Sequence, residues 1–438
     1  MEQGSGKPEE GPAASSVLRK AAGPACVRCG QCMSVCPVYG VTREETDVAR
    51  GRMELFRLLD QKGISPESLA QASSRCLLCG ACESVCAAGV RVREKTVEAR
   101  SRGVRTDYPA AEKMALAALT RDSEAARGIR RAGRLFTALF AGEIEQTSGL
   151  YLRFPASFFL NRKVVPRIAA RPFTESFARR AQAKSETPRV AFFTGCGANH
   201  IFTDTSWAVA RLSNFLDIPL AVPKNQGCCG LAAYSTGRRD LFLSCVEKNL
   251  AAFHPERYDT ILFVCASCLD HVRRTPELMG KSHPLYEKSL LLAEKAADAT
   301  SFFAQRFDGA LRREPLPTGV ASLRVHIHEP CHTRLGKAGP DHTRSLLAAM
   351  GPSVSVISGI EPSCCGHGGS FNACFGELSL EIAEPYAREI LEAAPDAIVT
   401  GCTGCLLQLT EAAFRFSESK IPRITHPLAL AAPLLTAK

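Results

Sequence analysis

The chain has 438 residues and a formal net charge of +10, with 20 cysteines and few aromatics. Cysteine-dense disulfide frameworks belong to short secreted chains. Twenty thiols in a chain this long, behind a polar start (Met1 to Glu10) with no basic region and apolar core, argue for metal ligation in a reducing cytoplasm. No run of about 18 apolar residues exists, which argues against a transmembrane helix, and no recognition motif points to nucleic acid.

Residues 1–15 are polar and rich in Gly, Pro, Ser and Glu, and are expected to be a disordered tail. A first domain is expected over 16–106. It opens with Cys26-Val-Arg-Cys29-Gly-Gln-Cys32-Met-Ser-Val-Cys36-Pro37, the C-x2-C-x2-C-x3-C-P run of cluster-binding ferredoxins. Three thiolates two residues apart wrap one face of a cubane, and the fourth is turned toward a second cluster. A second run is present: Cys76, Cys79, Cys82 and Cys86. The crossed assignment gives Cys26, Cys29, Cys32 and Cys86 to one [4Fe–4S] cluster, and Cys76, Cys79, Cys82 and Cys36 to the other. A structural zinc site is the alternative, but paired CxxC zinc sites do not explain a four-Cys run appearing twice. The second run ends in Cys86-Ala87 rather than Cys-Pro, which removes a stiffening residue and no ligand.

Between the runs, residues 46–59 are apolar at helical spacing, and Ser65-Pro66 reads as an N-cap followed by Pro at the first helical position. The domain is therefore expected to be an α-helical two-cluster ferredoxin, without the short β-ribbon of small ferredoxins. A helical connector is expected over 107–186, from the patterns at Ala110–Leu119 and Arg130–Phe136. The basic charge is densest from Arg91 to Arg180, which suits an acidic partner, anionic lipid headgroups or simply a solvated helical surface. The apolar stretches Leu150–Pro155 and Phe158–Leu160 are expected to pack on the next domain, with partner docking or a membrane surface as the alternative.

From Arg189 short apolar strands alternate with helices, and a long internal repeat emerges. Val190–Cys196 matches Val325–Cys331, Gln226–Gly230 matches Pro362–Gly366, and Asp259–Cys268 matches Asp396–Cys405. The expected modules are 187–318 and 319–438. The first carries Cys196, Cys228, Cys229, Cys265 and Cys268, and the second Cys331, Cys364, Cys365, Cys402 and Cys405. Each Cys group follows an expected strand, where open α/β sheets bind ligands. Five thiols exceed the need of a cubane, and adjacent cysteines do not fit normal cubane geometry, which suggests an unusual cluster. Cys245 and Cys374 are left over and are expected to be packing thiols. His328, His332 and His367 lie near cluster thiols, either as hydrogen-bond donors and proton carriers or as ordinary polar neighbours. No GxGxxG follows a strand and no P-loop is present, so flavin and nicotinamide are expected on another chain.

These motifs resemble the CCG-domain family, which includes the iron–sulfur subunits of glycolate oxidase and lactate-utilisation complexes and the catalytic subunits of heterodisulfide reductase. Eighteen of the twenty Cys fall in family positions, and Asp47–Arg52 resembles the Pro-Arg-Gly-Arg segment of glycolate oxidase subunits. The resemblance implies an α+β multidomain chain, with an α-helical ferredoxin domain followed by two α/β CCG modules. It also implies one or two further [4Fe–4S] clusters at the CCG cysteines, non-cubane as in the heterodisulfide reductases. Two functions follow as expectations. One is an electron-transfer subunit of a 2-hydroxy-acid (glycolate or lactate) dehydrogenase, taking electrons from an FAD-containing partner to a quinone or other carrier, in the cytoplasm or against the inner membrane face. The other is a disulfide-reducing catalytic subunit, which the complete cysteine sets favour. A cluster-storage or scaffold protein is a third, weaker reading.

Overall fold

A computed structural model describes residues 25–103, 124–144, 147–153, 164–180, 187–310, 322–339, 342–351, 353–418 and 420–435. The expected tail, the helical run at 110–119 and the apolar run at 158–160 lie outside the described residues.

The amino-terminal region is helical: Gln31–Val35, Pro37–Thr42, Ala49–Asp60, Pro66–Ser74, Ala81–Ser84 and Val92–Arg102. Ser65 caps the fourth helix by accepting the Ser68 N–H at 3.2 Å, with Pro66 at its first position. The Arg-Gly-Arg segment has a steric reason. A Cβ on Gly51 would lie 1.9 Å from the Glu45 carbonyl oxygen, so only glycine lets the helix start against that turn. Its neighbour Arg52 is 2 % exposed and donates to the Arg75 carbonyl at 3.1 Å, while the buried Asp47 carboxylate faces the Arg75 guanidinium at 3.1 Å.

The stretch between this region and the repeats differs from the expected helical connector. It holds the helices Glu124–Phe140 and Phe173–Arg180, and also an antiparallel sheet of β1 (Ala141–Glu143), β2 (Gly149–Leu152) and β3 (Val164–Pro166). Strands of three or four residues are too short to show alternation in the sequence. The sheet leans on the second module, where Tyr151 stacks on Phe414 with ring centres 5.8 Å apart.

The two repeats are α/β units of the same topology. The first has β4 (Val190–Phe193), β5 (Leu220–Ala221), β6 (Thr260–Phe263) and β7 (Ala296–Asp298) in the order β5-β4-β6-β7. The second has β8 (Leu323–Ile327), β9 (Val354–Val356), β10 (Ala397–Val399) and β11 (Arg423–Thr425) in the order β9-β8-β10-β11. All pairings in both sheets are parallel. Buried parallel strands need apolar residues on both faces, which is why Phe192 and Phe193, pointing to opposite faces, are both at most 1 % exposed. The modules share one core, because Phe192 and Leu262 of the first cluster with Val325, Val399 and Leu428 of the second.

The two modules also meet through equivalent residues, Cys265 Sγ lying 4.0 Å from Cys402 Sγ, and nearby Ser235 Oγ lies 3.1 Å from Ser370 Oγ. Contact between repeat equivalents is the mark of an isologous, two-fold-like interface. The chain thus folds into a pseudo-dimer of its own halves, with the cysteine-bearing edges turned inward.

Candidate metal centres

The two ferredoxin runs fold alike. In each, the residue before the second Cys and the Gly after it take left-handed backbone: Arg28 and Gly30 (φ 60° and 84°), Leu78 and Gly80 (φ 56° and 86°). That repeated turn curls three sulfurs inward, and glycine accommodates it at no steric cost. Cys36 approaches the second loop rather than its own. A small cavity is walled by Cys36, Cys76, Cys79 and Cys82. Cys86 instead joins Cys26 and Cys32 around Ala49, Val90 and Val92. Cys29 is exposed at the outer edge. Burial pushes the Cys79 thiol up to about 12, with the charges of Cys76 and Cys36 adding to it. Such thiols ionise readily only beside a cation, which is the condition an iron centre supplies.

In each module the strand order reverses between the first strand and its two neighbours, and the thiols gather at that switch point. Cys196 follows β4 and Cys265 follows β6, and Cys331 and Cys402 follow β8 and β10. Cys228, Cys229, Cys265 and Cys268 are buried, as are Cys365, Cys402 and Cys405. Cys228 lies within hydrogen-bond reach of Cys196, Cys229 and also Cys245, whose sulfhydryls raise its pKa ahead of burial itself. Cys245, expected as a packing thiol, is therefore half-buried at the rim of the first thiol group. A lone Cys on an apolar helix face carries no signal that separates these two roles. Cys374 is half-buried at the end of the helix Ser370–Cys374.

In the second module Cys365 and Cys405 sulfurs lie 3.3 Å apart. His328 offers a nitrogen with both, all three atoms within 4.8 Å of one another, a spacing that suits a bound metal. Cys405 chiefly, with help from His328, holds the Cys365 thiol well below the usual range. His332 Nδ1 pairs with Asp270 Oδ2 at 2.7 Å across the module interface. Burial would raise that carboxyl, but His332, the Lys337 N–H and Arg274 outweigh it and hold it below the usual carboxylate range. His367 packs against Gly404 between Cys402 and Cys405.

The groups stand in sequence. Cys79 and Cys364 pack around the same apolar residues, Val38, Leu77, Phe371 and Ile382, and the charge of Cys79 is felt at both Cys331 and Cys364. The second and first modules then meet at the Cys402–Cys265 contact, where each sulfur also receives a hydroxyl from the opposite side. Ser267 Oγ lies 3.2 Å from Cys402 Sγ, and Thr403 Oγ1 donates to Cys265 Sγ at 3.3 Å. Buried Arg100 fastens the ferredoxin region to the modules, donating to the Ser73, Ser74 and Cys76 carbonyls and to Ser235 of the first module.

Comparison with known proteins agrees with this architecture. Residues 24–90 match the 4Fe-4S dicluster domain, and residues 190–273 and 325–410 each match the cysteine-rich (CCG) domain. The chain is a CCG-domain iron–sulfur protein. It is 26 % identical over 405 residues to a probable glycolate oxidase iron–sulfur subunit of Bacillus subtilis, covering 88 % of this chain and 87 % of that one. It is 29 % identical over 223 residues to one of the subunits of a CoM/CoB fumarate reductase from Methanothermobacter marburgensis, covering 51 % of this chain and 42 % of that one. It is 25 % identical over 232 residues to one of the subunits of the dihydromethanophenazine:CoB–CoM heterodisulfide reductase from Methanosarcina barkeri, covering 51 % and 53 %. The chain thus spans about half or less of the length of the two methanogen proteins.

Proposed function

We propose that this chain is the electron-transfer subunit of a flavin-dependent 2-hydroxy-acid dehydrogenase, acting on glycolate or lactate. The observation that carries the reading is the unbroken succession of thiol groups, from exposed Cys29 through Cys79 and Cys364 to the Cys402–Cys265 contact. Cys26, Cys29, Cys32 and Cys86 hold one cubane [4Fe–4S] cluster, and Cys76, Cys79, Cys82 and Cys36 the other. Cys331, Cys364, Cys365, Cys402 and Cys405 hold a third centre. Cys196, Cys228, Cys229, Cys265 and Cys268 hold a fourth. The clusters would supply one-electron redox steps, and the protein would hold them along this succession of thiols.

An FAD-containing partner oxidises the hydroxy acid, and the acceptor is a quinone or other carrier. The helix Glu124–Phe140 serves as a docking face toward an anionic membrane, because it exposes Leu135, Phe136, Leu139 and Phe140 next to exposed Arg131 and Arg134. No described helix is long and apolar enough to cross a membrane. The test is anaerobic purification of the tagged chain from its host, followed spectroscopically. A co-purifying flavoprotein, and bleaching of cluster absorbance by glycolate or D-lactate, support the reading. A complete thiol set in each module favours a second reading, reduction of a disulfide at the CCG centres. Cluster signals that respond to a disulfide or thiol pair, and not to hydroxy acids, establish that reading instead.

A further inference from the structure

The two thiol groups of the modules are built on equivalent strands but do not have the same neighbours. At the second, the side chain of His328 is 1 % exposed, and its Nε2 makes no hydrogen bond of ordinary geometry. Its Nδ1 is engaged by Tyr386 Oη at 3.2 Å, and Tyr386 Oη is also 3.0 Å from His326 Nε2. With Nδ1 taken, Nε2 is the nitrogen left to face the Cys365 and Cys405 sulfurs. The repeat register puts Phe193 where the second module has His328, and Ala191 where it has His326. Phe193 is committed to the core, stacked on Phe253 and Phe263 with ring centres 5.4 and 4.6 Å away. The helix corresponding to that of Tyr386 offers Asn249, whose amide is spent on the Gly227 N–H and the Cys228 carbonyl.

We propose that His326, Tyr386 and His328 form a one-way hydrogen-bond chain ending in an N–H···S bond to the second CCG centre. This raises the reduction potential of that centre above what it would have without the donor. The inference rests on the second thiol set holding an iron–sulfur group. The direction of the chain follows from two considerations. Thiolates around iron are anionic, so the tautomer that presents an N–H to them is favoured over one that presents a lone pair. His326 Nε2–H then donates to Tyr386 Oη, and the Tyr386 hydroxyl donates to His328 Nδ1. His328 Nε2–H is left aimed at sulfur, and every dipole in the chain points its positive end at the cluster. The reverse order would present a bare nitrogen to the thiolates and leave the His326 Nδ1–H buried without an acceptor, the rarer kind of orphan. Hydrogen bonds to cluster sulfur are among the factors that set reduction potentials. They stabilise the more negative, reduced state, so the donor raises the potential. His328 is thus a positioning and tuning residue at the second centre; at its register the first module has Phe193, and the buried histidine near that module's Cys229, His271, comes from a different position.

The test uses the full-length, iron-loaded chain with Cys268→Ser, which simplifies the spectrum by disabling the first module's centre. Electron–nuclear double resonance in H2O and D2O reads the exchangeable proton at the second centre, and an EPR-monitored titration reads its potential. The expected result is an exchangeable proton coupling that is lost in His328→Phe, together with a lower midpoint potential. His328→Gln, which keeps an N–H, restores part of both, and Tyr386→Phe lies between. Tyr386→Phe preserves shape, so it still tests the chain if His328→Phe fails to take up iron. An unchanged potential and proton coupling in His328→Phe, or in Tyr386→Phe where His328→Phe takes up no iron, overturns the proposal. So does strong nitrogen hyperfine coupling in the parent protein, which would make His328 an iron ligand. A parent protein whose second module binds no iron overturns this proposal and the four-centre reading together. Loss of the donor effect with iron in place overturns this proposal alone.

Discussion

The two CCG modules repeat one topology and one spacing of five thiols, yet they occupy different positions in the molecule. The second touches the ferredoxin region, where Cys364 and Cys79 share the packing of Leu77 and Phe371, and it surrounds its thiols with His328, His332 and His367. The first also meets the ferredoxin region, through Ser235 and Arg274, but its thiols approach those of the second at the Cys265–Cys402 contact, and beside them lie Phe193, buried His271 and a sixth sulfur, Cys245. Duplication supplied two equal ligand sets, and the surroundings made them unequal. Ligand count describes capacity, and it is in the neighbours of each thiol set that the two modules differ.

The largest expected effect tests the order in which the thiol groups stand. Cys364→Ser should remove the second centre and strand the first, so that neither CCG signal is reduced when electrons enter through the ferredoxin clusters. Cys228→Ser should remove only the first centre's signal and leave the second reducible. Freeze-quenched EPR with iron analysis distinguishes the two, and equal behaviour of the variants would break the serial arrangement. Arg100→Ala comes next. It leaves the Ser73, Ser74, Cys76 and Ser235 carbonyls without their charged donor, and should cost roughly 2–4 kcal/mol in denaturant unfolding. Lysine cannot reach four acceptors with one ammonium, so Arg100→Lys should recover little.

A pH-dependent difference lies at the module interface. His426 Nδ1 accepts the Leu428 N–H at 3.1 Å, so Nε2 carries the proton, toward the first module's Val264 carbonyl. Burial lowers its pKa from 6.5 to about 4. A buried neutral histidine binds fewer protons than its unfolded counterpart between those values. Its contribution is therefore complete above pH 6.5 and lost as pH falls toward 4, by up to about 3 kcal/mol. His426→Gln should flatten that part of the stability profile, and an unaltered slope would refute the assignment.

Much of this molecule could be read from the chain because its thiol spacings are local. The turns that curl Cys26 to Cys32 and Cys76 to Cys82 are each completed within seven residues, and the repeat offsets align Cys196 with Cys331 without any structure. The Gly51 and Arg52 signature was visible, but its cause, the approach of the Glu45 carbonyl, was not. What stayed hidden is tertiary. Cys245 meets Cys228 only because its helix packs back on the CCG turn, and β1 to β3 exist because Tyr151 finds Phe414 some 260 residues away. The facing of Cys265 on Cys402 is a property of the interface between repeats, and no pattern within one repeat encodes it.

The smallest effects are expected at that interface. The hydroxyls there act crosswise: Ser267 of the first module serves a sulfur of the second, and Thr403 of the second serves a sulfur of the first. A hydroxyl donating to thiolate sulfur stabilises the reduced cluster, as an N–H does. Ser267→Ala should therefore lower the potential of the second module's centre and leave the first nearly unchanged, while Thr403→Val should do the opposite. Each shift should be smaller than that of His328→Phe, because these hydroxyls are only partly buried and compete with water. Valine keeps most of the shape against Gly197, where a Cβ would already lie 2.6 Å from Thr403 Oγ1. If each substitution instead moved the potential of the centre in its own module, the two-fold exchange of donors across the interface would be wrong, and the modules would be electrically independent units that happen to touch.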